Sequence, residues 1–94
     1  MLLRVWWIPQ VPMPAFRREV RDLIEAKVLL DTLAAYDIFQ YEHELKSNYC
    51  NVGGLEMFDP EDEDWYEWSH PETGEDIKHF SLTAVEQLQR NFIQ

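Results

Sequence analysis

The stretch VWWIPQVPMPAF, residues 5–16, sets two tryptophans side by side and follows them with Pro9, Pro12 and Pro14. Neighbouring side chains on a β-strand leave on opposite faces. The run 2–8 is β-prone and ends at Pro9, because proline cannot donate to a central ladder. Trp6 and Trp7 therefore cannot share one core if this run is a strand. The prolines favour extended backbone through residue 14, and residues 15–20 read as a second, edge-like strand. If helices cover only one side of the sheet, one tryptophan lies on a second surface. A ligand, a partner or another subunit would cover that surface, with homo-oligomer contact the most ordinary form. The alternative is that loops or a C-terminal helix wrap both faces.

Downstream, Asp22 and Glu25 fit a capping box. Leu23, Ala26, Leu30, Leu33 and Ala34 follow on one face at helical spacing, and the pattern predicts a helix ending near residues 36–37. Residues 38–45 alternate, with Phe39, Tyr41 and His43 on one side, which predicts a strand. The segment SNYCNVGG (47–54) reads as a loop in which Gly53 and Gly54 allow a close backbone approach. Residues 55–58 read as a returning strand, 59–64 as an acidic loop and 65–68 as a short strand with both tryptophans on one face. Residues 70–74 read as a turn. Thr83 and Glu86 suggest a second capping box, opening a C-terminal helix with Val85, Leu88 and Phe92 inward. The expected fold is a single α+β domain over residues 1–94. It has a small antiparallel sheet packed on one main helix plus a short C-terminal helix, in the order ββαβββα.

The chain has 94 residues and a formal net charge of -10. Ten acidic residues and no Lys or Arg occupy residues 47–77, so this segment carries the whole imbalance. Such a field repels nucleic acid, whose binding rests on cationic contacts to phosphate, and no direct DNA or RNA binding is expected. One cysteine, Cys50, excludes an internal disulfide. No apolar run approaches the ~20 residues of a membrane span, and the N-terminus lacks the basic region of a signal peptide. These features predict a soluble protein of a reducing cytoplasm with no membrane partner.

Signals for catalysis or metal binding are weak. An EF-hand beginning at Asp59 would need Gly and Glu where Asp64 and His70 stand. His43, Cys50, His70 and His79 lack the paired spacing of a zinc site. No Gly-rich phosphate-binding motif is present. Neither an enzyme nor a cofactor is expected. What remains is a polar-aromatic group: Arg4, Trp6, Trp7, Gln10, Phe39, Tyr41, Tyr49, Asn51, Gly53 and Gly54. Aromatics stack on a base, amides read its edge, and a glycine loop offers N–H groups to phosphate. Arg17, Arg18 and Arg21 add cations to the first quarter of the chain. The plainer reading makes these aromatics core and subunit interface.

The motifs VWWIPQVPM, LLDTLAAYDIFQYE, YCNVGGLEMFD and W-x-x-W-x-x-x-E-T-G (residues 65–74) resemble a family of small acidic proteins encoded by tailed bacteriophages. The resemblance covers residues 4–76. Pro14 stands where the family pattern has lysine, removing one phosphate contact, and the C-terminal helix is longer. Kinship with small phage proteins implies an inhibitor of bacterial immunity, in one of two forms. One is an oligomeric anti-CBASS or anti-Thoeris sponge, which sequesters a cyclic oligonucleotide or related nucleotide signal at the polar-aromatic group. The other is an acidic nucleic-acid mimic that blocks a nuclease or CRISPR complex.

Overall fold

A computed structural model describes residues 2–43 and 51–92. The elements are β1 (Leu3–Ile8), β2 (Phe16–Val20), α1 (Leu23–Glu42), β3 (Val52–Asp59), β4 (Asp64–Glu67), a 3-10 turn (Ile77–His79) and α2 (Leu82–Phe92). All strand pairs are antiparallel and the sheet order is β2-β1-β3-β4. This is the expected α+β fold in the order ββαββα, one strand fewer than the pattern suggested.

The missing strand is residues 38–45. Its described part, through residue 42, continues α1. No Gly or Pro occurs between Pro14 and Gly53, so nothing local stops the helix. Stacking at helical spacing supports the extension: Phe39 lies 4.1 Å from His43 and 6.5 Å from Tyr36, centroid to centroid. The period-two alternation misled because Ile38, Phe39 and Tyr41 are all exposed. There was no inward face for the pattern to report. Asp37 instead continues the buried stripe of Leu23, Ala26, Lys27 and Leu30.

The start of α1 follows its sequence signal. The Asp22 carboxylate accepts from the Glu25 N–H at 2.8 Å, and the Glu25 side chain reaches back to the Arg21 N–H at 2.9 Å. The start of α2 does not. Its cap is Ser81, whose hydroxyl accepts from the Ala84 N–H at 3.2 Å, two residues before the Thr83 position expected.

Leu3, Val5, Trp7, Val20 and Leu55 from the sheet meet Leu23, Ala26 and Leu30 of α1 and Val85 and Leu88 of α2. Trp68 and Ile77 close the same core. Trp68 is thus separated from Trp65, which stays half-buried. Three residues apart along an extended chain, the two cannot share a face, contrary to the sequence reading.

Candidate partner-binding face

The pairing of β1 with β3 explains the tryptophan doublet. Trp7 stands opposite Gly53 and Trp6 opposite Gly54, so the glycines are strand residues and not a loop. A Cβ on Gly53 would run into the Trp7 ring and come within 2.9 Å of the Trp6 carbonyl oxygen. A Cβ on Gly54 would lie 2.9 Å from Trp6 Nε1 and 2.5 Å from a Glu67 oxygen. Each glycine is therefore the slot for one indole. Trp7 fills its slot on the helix side and enters the core; Trp6 fills its own on the opposite side.

Among the described residues, that opposite side carries no helix. Register places Arg17 and Glu19 of β2, Arg4 and Trp6 of β1, Glu56 and Phe58 of β3, and Trp65 and Glu67 of β4 on it. The groups are mutually engaged. Arg4 Nε donates to Glu56 Oε1 at 2.7 Å, and its guanidinium carbon lies 4.0 Å from the Trp65 ring centroid. Phe58 meets Trp65 edge-on at 5.4 Å. Trp6 Nε1 donates to Glu67 Oε2 at 3.1 Å. Burial of the Glu67 carboxylate pushes its pKa above the usual value. The indole N–H partly offsets this by favouring the charged form, while Glu56 and Asp76 add like charge. The face is an aromatic platform with an arginine bridging Glu56 and the Trp65 ring.

The ten candidate residues do not converge on one pocket. Arg4 and Trp6 lie on the open face, and Trp7 on the other side of the sheet. Gln10 is half-buried in the segment after β1, and Phe39 and Tyr41 are exposed on α1. The Asn51 amide donates to the Asp37 carboxylate, tying the approach to β3 to the buried end of the helix stripe. Tyr49 lies outside the described residues. Two stacking groups on opposite faces cannot hold one base, and both glycines face indole rings. Among the described residues, no group of three or more His, Cys, Asp or Glu is placed to hold a metal ion. Glu56, Phe58, Trp65 and Glu67 were missed as site residues because only the cross-strand register brings them to Arg4 and Trp6.

The family of superinfection exclusion gene product 17 matches residues 2–87. The chain belongs to that family. A superinfection exclusion protein of Salmonella phage P22 is 44% identical over 79 residues, covering 72% of this chain and 77% of the relative. No solved structure matches the chain. The resemblance to a phage protein family thus holds, and the protein is a bacteriophage protein. The functional expectation does not hold. The family is described by superinfection exclusion and not by sequestration of a cyclic nucleotide, and this replaces the immune-inhibitor readings. No helix of the described residues is long and apolar enough to cross a membrane.

Proposed function

We propose that this member of the superinfection exclusion family excludes incoming phage by binding a protein partner, without catalysis, through the open sheet face centred on Trp6. Membership of the family carries the biological role. The unpartnered platform of Trp6, Trp65, Phe58 and Arg4 supports the mode, since buried Trp and Arg anchor protein interfaces more often than other residues. The net charge of -10 favours action in the host cytoplasm away from the anionic inner leaflet, which would repel it.

The test is plating of a sensitive phage on hosts that express the protein. Trp6→Ala and Arg4→Ala should restore plaques while the purified variants still unfold cooperatively. Exclusion that survives both changes would remove this face from the mechanism.

One observation favours a second copy of the chain as the partner. The open face is net positive across β2 and β1, with Arg17, Glu19 and Arg4, and net negative across β3 and β4, with Glu56 and Glu67. A two-fold axis would bring opposite charges together. Sedimentation of the wild type and of Trp6→Ala would decide this, since a face-to-face dimer should dissociate in the variant.

A further inference from the structure

Strand β2 ends the sheet: it pairs with β1 alone, at one end of the strand order. Its outer N–H and C=O groups form a template for another strand. Alternate side chains of a strand leave on opposite faces. Register puts Arg17 and Glu19 opposite Trp6 and Arg4, on the open side. Phe16, Arg18 and Val20 stand opposite Trp7, Val5 and Leu3, on the helix side. Residues 16–19 are all exposed.

The sequence of this edge, FRREV (Phe16–Val20), is complementary to itself when two copies run antiparallel. With a two-fold axis through Arg18, Arg17 of each copy faces Glu19 of the other. Both pairs lie on the open side, with opposite charges directly across the ladder. On the helix side, Phe16 of each copy faces Val20 of the other. An edge guarded by charges of one sign repels its own copy. This edge instead carries one charge of each sign on its open side, placed symmetrically about the middle residue.

The flank of the same edge is apolar. Between β2 and α1 runs a groove of about 400 Å³ whose lining includes Phe16, Val20, Val28, Leu29 and Leu33. Phe16 and Val28 are about half exposed, at 50% and 47%. The two-fold axis sets the grooves of two copies side by side on one face, where each withdraws the other's apolar residues from water. Arg18 faces its own copy at the axis, the one like-charge contact in the match. Glu25 lines the same groove but is shared with Arg21 at 3.0 Å, so it offsets this repulsion only in part.

We infer that two copies of the chain pair through β2 about Arg18, joining the four strands of each into one continuous antiparallel sheet. Both open faces then lie on the same side of that sheet and stay free. This interface is therefore separate from the one centred on Trp6.

The experiment is sedimentation of the full chain over a concentration series, with amide hydrogen exchange alongside. The wild type should dimerise, and residues 16–20 should gain protection as concentration rises. Arg17→Glu and Glu19→Arg should each weaken the dimer by about tenfold, because each turns both cross-strand pairs into like charges. An equimolar mixture of these two variants should dimerise again, and so should the chain carrying both changes. Arg18→Thr should tighten the dimer about threefold by removing the contact at the axis. Val28→Asp should weaken it without unfolding the protein, because Val28 is exposed. Trp6→Ala should leave it unchanged. The proposal falls if the wild type is still a monomer at about 1 mM, if the mixed variants fail to pair, or if Arg18→Thr loosens the dimer. It falls equally if Trp6→Ala dissociates the dimer while Glu19→Arg does not, which would place the contact on the open face.

Discussion

Trp6 and Trp7 are neighbours in the chain, and each lies across from a glycine of β3, yet they face opposite environments. Trp7 is enclosed by the hydrophobic core, 6% exposed. Trp6 lies on a sheet surface where its indole N–H meets a carboxylate. The difference shows what a glycine opposite an indole accomplishes. On the helix side it lets a large ring enter an already crowded core. On the open side it lets the ring lie close to the sheet and form a platform instead of projecting into solvent.

The contrast can be broken most forcefully at Trp7. Trp7→Ala should cost about 3–5 kcal/mol in urea denaturation, and Trp6→Ala about 1 kcal/mol. Comparable losses would mean that the open face is as tightly covered as the core. Gly53→Ala comes next, at about 1–3 kcal/mol, because the Trp7 ring and the Trp6 carbonyl oxygen at 2.9 Å both obstruct the new methyl. Adding it to Trp7→Ala should cost less than adding it to the wild type, and additive losses would sink the slot explanation. Gly54→Ala should cost less than Gly53→Ala, since the Glu67 carboxylate can swing away. Its signature should be a changed Trp6 fluorescence spectrum.

Glu67→Gln sharpens the same contrast through pH. Because the folded-state pKa of Glu67 is raised, the native state binds its proton more tightly than the unfolded chain does. Stability from this group is present below the ordinary carboxylate pKa and is lost as pH rises through the raised value. Urea midpoints of wild type and Glu67→Gln should therefore agree at the acid end and separate toward neutral pH, with the variant the more stable. Parallel curves would show that burial of this carboxylate has no effect on folding. The smallest effect is expected at the β3–β4 turn, where Glu63 has φ 54°. Glu63→Gly should raise stability by up to about 1 kcal/mol, read as a higher melting temperature.

Two local signals were legible because one short segment contained the whole cause, although the cap of α2 fell at Ser81 and not at Thr83. The Asp22–Glu25 box forecast the start of α1, and alternation forecast that the two tryptophans would part. The end of α1 was not legible, because residues 38–42 are largely exposed and an exposed helix leaves no burial period to read. The role of Gly53 and Gly54 was hidden for another reason. A glycine pair is ordinarily a turn signal, and only the pairing of β3 with β1, some forty-five residues away in sequence, turns it into a pair of slots. The same long-range pairing gathers Arg4, Glu56, Trp65 and Glu67, so the open face had no local signature. The phage kinship was carried by whole motifs and owed nothing to periodicity or spacing.

The opposed doublets also bear on how the chain avoids mistakes as it folds. Sliding β3 by one residue in one direction would set Val52 against Trp7. Sliding it in the other would set Leu55 against Trp6. In either case a branched side chain occupies ground that an indole needs, and every residue of the strand exchanges faces. The four residues that complete the sheet therefore also reject its misaligned forms.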